Sequence, residues 1–142
     1  MNRAILFLAL VPLGVLGYST GAPNCEVEQP GHGGNRQTTK LSDFYDFQML
    51  MTTPGKIAVS IVPKDGEHIK GLRITSNTPG VWSLDESSEN DFQLLNACGI
   101  THIDGKKEKT GQFSFNFDFD AEVGVPDFNV IVVKDFNTWW VL

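Results

Sequence analysis

The sequence predicts an all-β fold, a two-sheet β-sandwich with Greek-key connections, and three observations carry that expectation. Short runs of β-branched and aromatic residues recur along the chain between Gly and Pro turn signals. One of them, Phe113 to Asp120, alternates four phenylalanines with four polar residues without an exception. Elsewhere there is no long helical period, no internal repeat and no low-complexity tract. Seven or so short strands with such punctuation suit a sandwich.

The first segment is not expected to belong to that domain. Arg3 precedes an apolar stretch, Ala4 to Leu16, that carries no charge and is followed by small residues at Val15-Leu16-Gly17. This is the layout of a secretory signal peptide over residues 1–17, cleaved after Gly17, with Ser19 and Thr20 as the alternative positions. Pro12 and Gly14 interrupt the run, which is too short for a hydrocarbon layer about 30 Å thick. No second run of about 18 apolar residues appears later, so no integral membrane segment is expected. The domain then spans residues 18–142.

Along that domain, Leu41 to Met51 is the ambiguous stretch. Phe44, Phe47 and Met51 stand at helical spacing, while Tyr45, Phe47, Met49 and Met51 alternate, and the alternation favours a strand. Ile57 to Val62 is β-rich and bracketed by Pro54-Gly55 and Pro63 to Gly66. His68 to Ile74 alternates around Gly71, where a bulge would shift the pleat. In Phe113 to Asp120 the phenylalanines take one face and Ser114, Asn116, Asp118 and Asp120 the other, a half-buried strand. Phe128 to Val133 is apolar on both faces, as a central strand would be, and Thr138 to Val141 closes the chain.

Cysteine usage follows from secretion. In an oxidising compartment Cys25 and Cys98 most simply form one bridge, and a loop of that length is stabilised by about 4 kcal/mol. Zinc needs more ligands than two cysteines, and no CxxC or HExxH spacing is present. Charge limits the partners. Without Arg3 there are ten basic against seventeen acidic residues, a balance that repels nucleic acid, heparin and anionic lipid. The one basic knot, Lys106-Lys107-Glu108-Lys109, lies between glycines and reads as a solvated turn.

Catalytic constellations are hard to find. No GxSxG elbow or other nucleophile motif surrounds a serine, and neither an enzymatic activity nor a cofactor is expected. His32 and His102 follow the two cysteines, so a bridge would bring their neighbourhoods together. They read as imidazoles bonded to backbone groups, with a two-histidine metal site including Asp104 as the alternative. Asp118, Asp120, Glu122 and Asp127 read as a solvated face, since calcium needs six to eight converging oxygens and the EF-hand glycine is missing. Asp85 to Asp91 reads as a polar loop. Trp82, Trp139 and Trp140 read first as packing residues. Neighbours on a strand point to opposite faces, so one of Trp139 and Trp140 is expected in the core and the other at least partly exposed, where it would stack on a sugar ring.

Taken in order, several segments are similar to the reeler domain: Tyr18 to Pro23, Cys25, and Pro30-Gly31-His32-Gly33; Lys70 to Ile74; and Cys98-Gly99-Ile100-Thr101-His102. Phe113 to Ala121, Phe128 to Val133 and the aromatic end at Trp139-Trp140 fit its closing strands. The resemblance spans nearly all of residues 18–142. It departs in loops, at the short polar Gly34 to Lys40 and at Glu122, where an Ala-Pro pair is common. It implies an immunoglobulin-like sandwich with a Cys25–Cys98 bridge. The family occurs as the first module of matrix and guidance proteins and as stand-alone secreted insect defence proteins, and a one-domain chain looks like the second group. The expected function is therefore a secreted innate-immunity protein that recognises microbial surface polymers or has direct antimicrobial activity, recognition being physically easier than lysis, which usually wants a cationic amphipathic surface. The alternative is a matrix or adhesion module that binds another protein through a sheet edge.

Overall fold

A computed structural model describes residues 18–31 and 34–142; the signal peptide expected over 1–17, and His32, lie outside the described residues. The chain forms β1 (Asn35–Arg36), β2 (Tyr45–Thr53), β3 (Lys56–Pro63), β4 (Gly71–Ser76) and β5 (Gly80–Leu84). Then come β6 (Phe92–Leu95), β7 (Gly99–His102), β8 (Phe113–Phe119), β9 (Phe128–Asp135) and β10 (Thr138–Val141). Single 3-10 turns at Leu41–Asp43 and Ala121–Val123 are the described helical elements.

The strands make two sheets, one of six in the order β1-β10-β9-β4-β7-β6 and one of four in the order β2-β3-β8-β5. β3 and β8 are hydrogen-bonded neighbours although four strands separate them in the chain, the long return of a Greek-key sandwich. The two inner faces meet in one core. Ile57, Val59 and Ile61 of β3 and Phe113, Phe115 and Phe117 of β8 face Leu72 and Ile74 of β4 and Val130 and Val132 of β9. Aromatic edges fill the gaps: Phe92 meets Phe113 and Phe115 at 4.8 and 5.1 Å, and Trp82 meets Phe117 and Phe128 at 4.7 and 5.5 Å.

The alternation in β8 produces the expected burial for most of its length. Phe113, Phe115 and Phe117 are buried and Asp118 is exposed, but Phe119 is only partly covered. Asp120 has left the strand and caps the following turn, its carboxylate accepting from the Glu122 N–H at 3.0 Å. Leu41 to Met51 resolves as a 3-10 turn and then β2, so alternation wins over helical spacing. Tyr45 is buried at one end of that edge strand, whereas Met49, Leu50 and Met51 are exposed at the other.

Two expectations need correction. Gly71 marks no bulge: β4 pairs with β9 in unbroken register from Gly71↔Val133 to Ser76↔Phe128. Its reason is close approach, because a Cβ there would lie 3.1 Å from Val133 Cβ and 3.3 Å from His102 Cε1. There are also ten strands rather than seven, because β1, β6 and β7 are two to four residues long and show too little alternation to be read.

Candidate functional site

In the six-stranded sheet Leu72 and Ile74 point into the core, so Gly71 and Arg73 of β4 point away from it, as do Ile131 and Val133 of β9. The N-terminal segment, residues 18–31, runs across this outer face as a strap. The Cys25–Cys98 bridge, with its Cα atoms 6.1 Å apart, fixes the strap to the residue that leads into β7. The bridge implied by the reeler resemblance is thus the one formed.

Polar side chains of β6 and β7 hold the strap by its main chain. Thr101 Oγ1 accepts from the Ala22 N–H at 2.9 Å and donates to the Leu72 carbonyl at 2.9 Å. Gln93 donates to the Thr20 carbonyl at 2.7 Å, and the Gly105 N–H donates to the Ser19 carbonyl at 2.6 Å. His102 uses both ring nitrogens: Nδ1 accepts from the Leu72 N–H at 3.0 Å, which leaves Nε2–H to donate to the Tyr18 carbonyl at 2.6 Å. Burial holds this imidazole below its ordinary value of 6.5. Gly21 is forced by the fit, with a φ of 113° and space for no Cβ against the His102 carbonyl.

Beneath the strap lies Arg73, 6% exposed. Its guanidinium donates to the Cys25 carbonyl at 3.1 Å and to the Asn129 side-chain oxygen, while Nε is buried without a partner. These acceptors are neutral, and among the described residues Arg73 has no ion pair. Burial lowers its pKa, and Glu28 on the strap partly opposes that shift.

Strap and sheet bound a half-open cavity of about 220 Å³. Val27 and Pro30 of the strap and Ile131 and Val133 of the sheet line it with apolar surface; Lys70, Arg73, His102 and Lys106 contribute polar groups. Asp135 is the one carboxylate among the lining residues, and its Oδ1 accepts from the Asn137 N–H at 2.8 Å. A positive lining in a chain of net charge −6 is a local inversion of the overall field.

Several sequence-level expectations change here. Trp139 and Trp140 do point to opposite faces, but both are buried, at 6% and 3% exposed, so neither is free to stack on a sugar. Trp140 packs on Phe44 and Tyr45 and donates to Thr39 Oγ1 at 3.1 Å, whereas Trp139 lies on the outer face beside Val133. Trp82 is in the core. The basic knot is not wholly a solvated turn. Lys106, Lys107 and Glu108 are exposed, but Lys109 is buried and its ammonium donates to the carbonyls of Lys70, Asp104 and Lys107 at 2.9, 2.6 and 2.9 Å. Burial lowers its pKa to about 8. His102 bonds main chain as read, and no cluster of three or more potential metal ligands forms among the described residues. Asp118 pairs loosely with Lys56 at 3.8 Å, and Asp85 accepts from the Ser87 N–H at 2.8 Å within its own turn.

The roles of Arg73 and Gln93 go unread in the sequence, and Lys109 reads there as solvated. Alternation places Arg73 outward, which ordinarily means solvent; only the strap, fixed by a distant cysteine, buries it.

The architecture is that of a disulfide-stapled, two-sheet β-sandwich. No family model and no curated protein matches the sequence. Solved structures do match. The human F-spondin reeler domain superposes with a TM-score of 0.60 at 11% identity, over 75% of this chain and 85% of that one. The Reelin-N domain of F-spondin gives a TM-score of 0.60 at 12% identity, over 75% and 82%. A second human F-spondin reeler fragment gives 0.50 at 12%, over 69% and 90%. The fold is the reeler-domain fold.

Proposed function

We propose that this chain is a secreted, non-enzymatic recognition module that serves innate defence by binding microbial surfaces. The observation that carries the binding reading is the strapped cavity, an apolar recess with a few placed cationic groups on a rigid two-sheet scaffold. Recognition fits the polar groups around it better than catalysis does, because Thr101, His102 and Gln93 are all spent on holding main chain. A disulfide accords with the secretory pathway. The microbial target rests on the resemblance of the sequence to the reeler domains of insect defence proteins. Acidity argues against lysis of anionic membranes.

The test is retention of the purified protein on whole bacteria and on isolated cell-wall polymers, beside dye leakage from anionic liposomes. Retention without leakage is expected. Failure to bind either material, or leakage at low protein concentration, would sink this reading.

A second reading, a matrix or adhesion module, is favoured by one observation. β2 is an edge strand whose far half exposes Met49, Leu50 and Met51, and an unpaired edge is a template for adding a partner's strand.

A further inference from the structure

We infer that the strapped cavity takes one small single-chain amphiphile with an anionic head group, a medium-chain carboxylate. The inference deepens the recognition reading above, since it rests on this cavity being the binding site.

Three features select that chemistry. The body of the cavity is apolar, with Val27 and Pro30 above and Ile131 and Val133 below, so the main part of the occupant is hydrocarbon. Its volume, about 220 Å³, lies under the range of about 300–1,000 Å³ that drug-sized ligands use. One short chain fits that space better than a polycyclic or two-chain molecule. The charge is the third feature. Lys70, Arg73 and Lys106 line the cavity against the single carboxylate of Asp135, which is already engaged by the Asn137 amide.

Arg73 is the strongest of these observations. It is a guanidinium more than nine-tenths buried, served only by neutral acceptors, with Nε unpartnered. A buried cation that makes no direct ion pair is costly; Glu28 on the strap offsets only part of that cost, and an anion in the adjoining cavity relieves more of it at a distance without needing to touch Nε. Lys70 and Lys106 have no ion pair among the described residues, and their side chains are more accessible than that of Arg73, so they are the groups that meet the carboxylate directly.

The test is calorimetric titration of the purified protein with hexanoate, octanoate and decanoate, and with decyltrimethylammonium as a cation of the same chain length. Affinity is expected to rise about fourfold per added methylene until the chain outgrows the cavity. The decyl cation should bind at least about tenfold more weakly than decanoate. The double variant Lys70→Ala, Lys106→Ala should weaken decanoate about fivefold and leave octanol binding unchanged. Lys109 keeps its acceptor in that variant, because it bonds the main-chain carbonyl of Lys70. Val27→Trp, on the strap and outside the sheet, should fill the cavity and abolish binding while the melting temperature reports folding.

Equal binding of the decyl cation, or no dependence on chain length, would overturn the inference. So would absence of decanoate binding by folded protein. Bacterial retention without decanoate binding would overturn the inference alone and leave surface recognition standing. Decanoate binding without retention would support the cavity's chemistry and remove the microbial target.

Discussion

The ring of His102 ties the Tyr18 carbonyl, 84 residues away in sequence, to the Leu72 amide of β4, at 2.6 and 3.0 Å. One imidazole in one tautomer thus joins the start of the strap to the sheet it covers. A protonated ring cannot serve both bonds, because Nδ1–H would point at the Leu72 N–H.

That geometry gives stability a pH dependence of known sign. Burial lowers the folded pKa of His102 below 6.5 and the Lys109 ammonium pushes it the same way, while the bond donated to the Tyr18 carbonyl and the Asp104 carboxylate oppose. Below 6.5 the unfolded chain takes up a proton that the folded chain refuses. The contribution is therefore complete above pH 6.5 and is lost as pH falls through the lowered folded value. Thermal melts of wild type and His102→Asn at pH 7.5 and 5 should show a larger acid loss for wild type. Parallel losses in the two proteins would assign the acid sensitivity elsewhere.

The two faces of β8 should answer substitution very differently. Phe115 is fully buried between the sheets and touches Phe92, so Phe115→Ala should cost about 3–5 kcal/mol. Asn116 is only partly covered on the opposite face, so Asn116→Ala should change stability by less than about 0.5 kcal/mol. Urea denaturation of both variants is the measurement, and similar costs would contradict the assigned faces.

That strand also marks how much was legible in the sequence. β8 announces itself because one face is core and the other is not, which writes a period of two into its residues. β9 is legible for a related reason: buried on both faces, it reads as a continuous apolar run. Periodicity reports burial within an element, however, and not what a remote segment lays over it. Arg73 and Trp139 are buried on the outer face of the larger sheet, and their strands carry no mark of that. The cysteines signalled a bridge, but the direction in which the strap crosses the sheet depends on Thr101, Gln93 and His102, whose individual types are ordinary in any strand. The same limit hid Lys109, which charge counting grouped with its exposed neighbours.

Lys109 and Lys107 should therefore behave as different residues. The Lys109 ammonium satisfies three main-chain carbonyls from a buried position, while Lys107 makes one partly exposed ion pair with Asp91 at 2.6 Å. Lys109→Ala leaves polar groups without their donor and should cost more than about 2 kcal/mol. Lys107→Ala should cost less, about 1 kcal/mol, because the lysine end of its pair is in solvent and leaves a single acceptor behind. Chemical denaturation of the two single variants decides it. A loss at Lys107 equal to that at Lys109 would mean the turn is held by charge, not by the three carbonyls.

The adjacent tryptophans separate by their indole nitrogens. Trp140 Nε1 donates to Thr39 Oγ1, whereas Trp139 Nε1 is buried with no acceptor. Phenylalanine keeps an aromatic ring at either site and removes the N–H. At position 140 that forfeits a hydrogen bond to the exposed Thr39 hydroxyl, a loss of about 0.5–1.5 kcal/mol on top of the smaller ring. At position 139 it removes a buried donor that already lacks a partner, which offsets the lost contact area. Trp139→Phe should therefore be close to neutral and Trp140→Phe clearly destabilising, although both side chains are buried and neighbours on one strand. Equal melting-temperature losses in the two variants would show that Trp139 too has an acceptor in solution, such as a bound water, and that the two indoles are held alike.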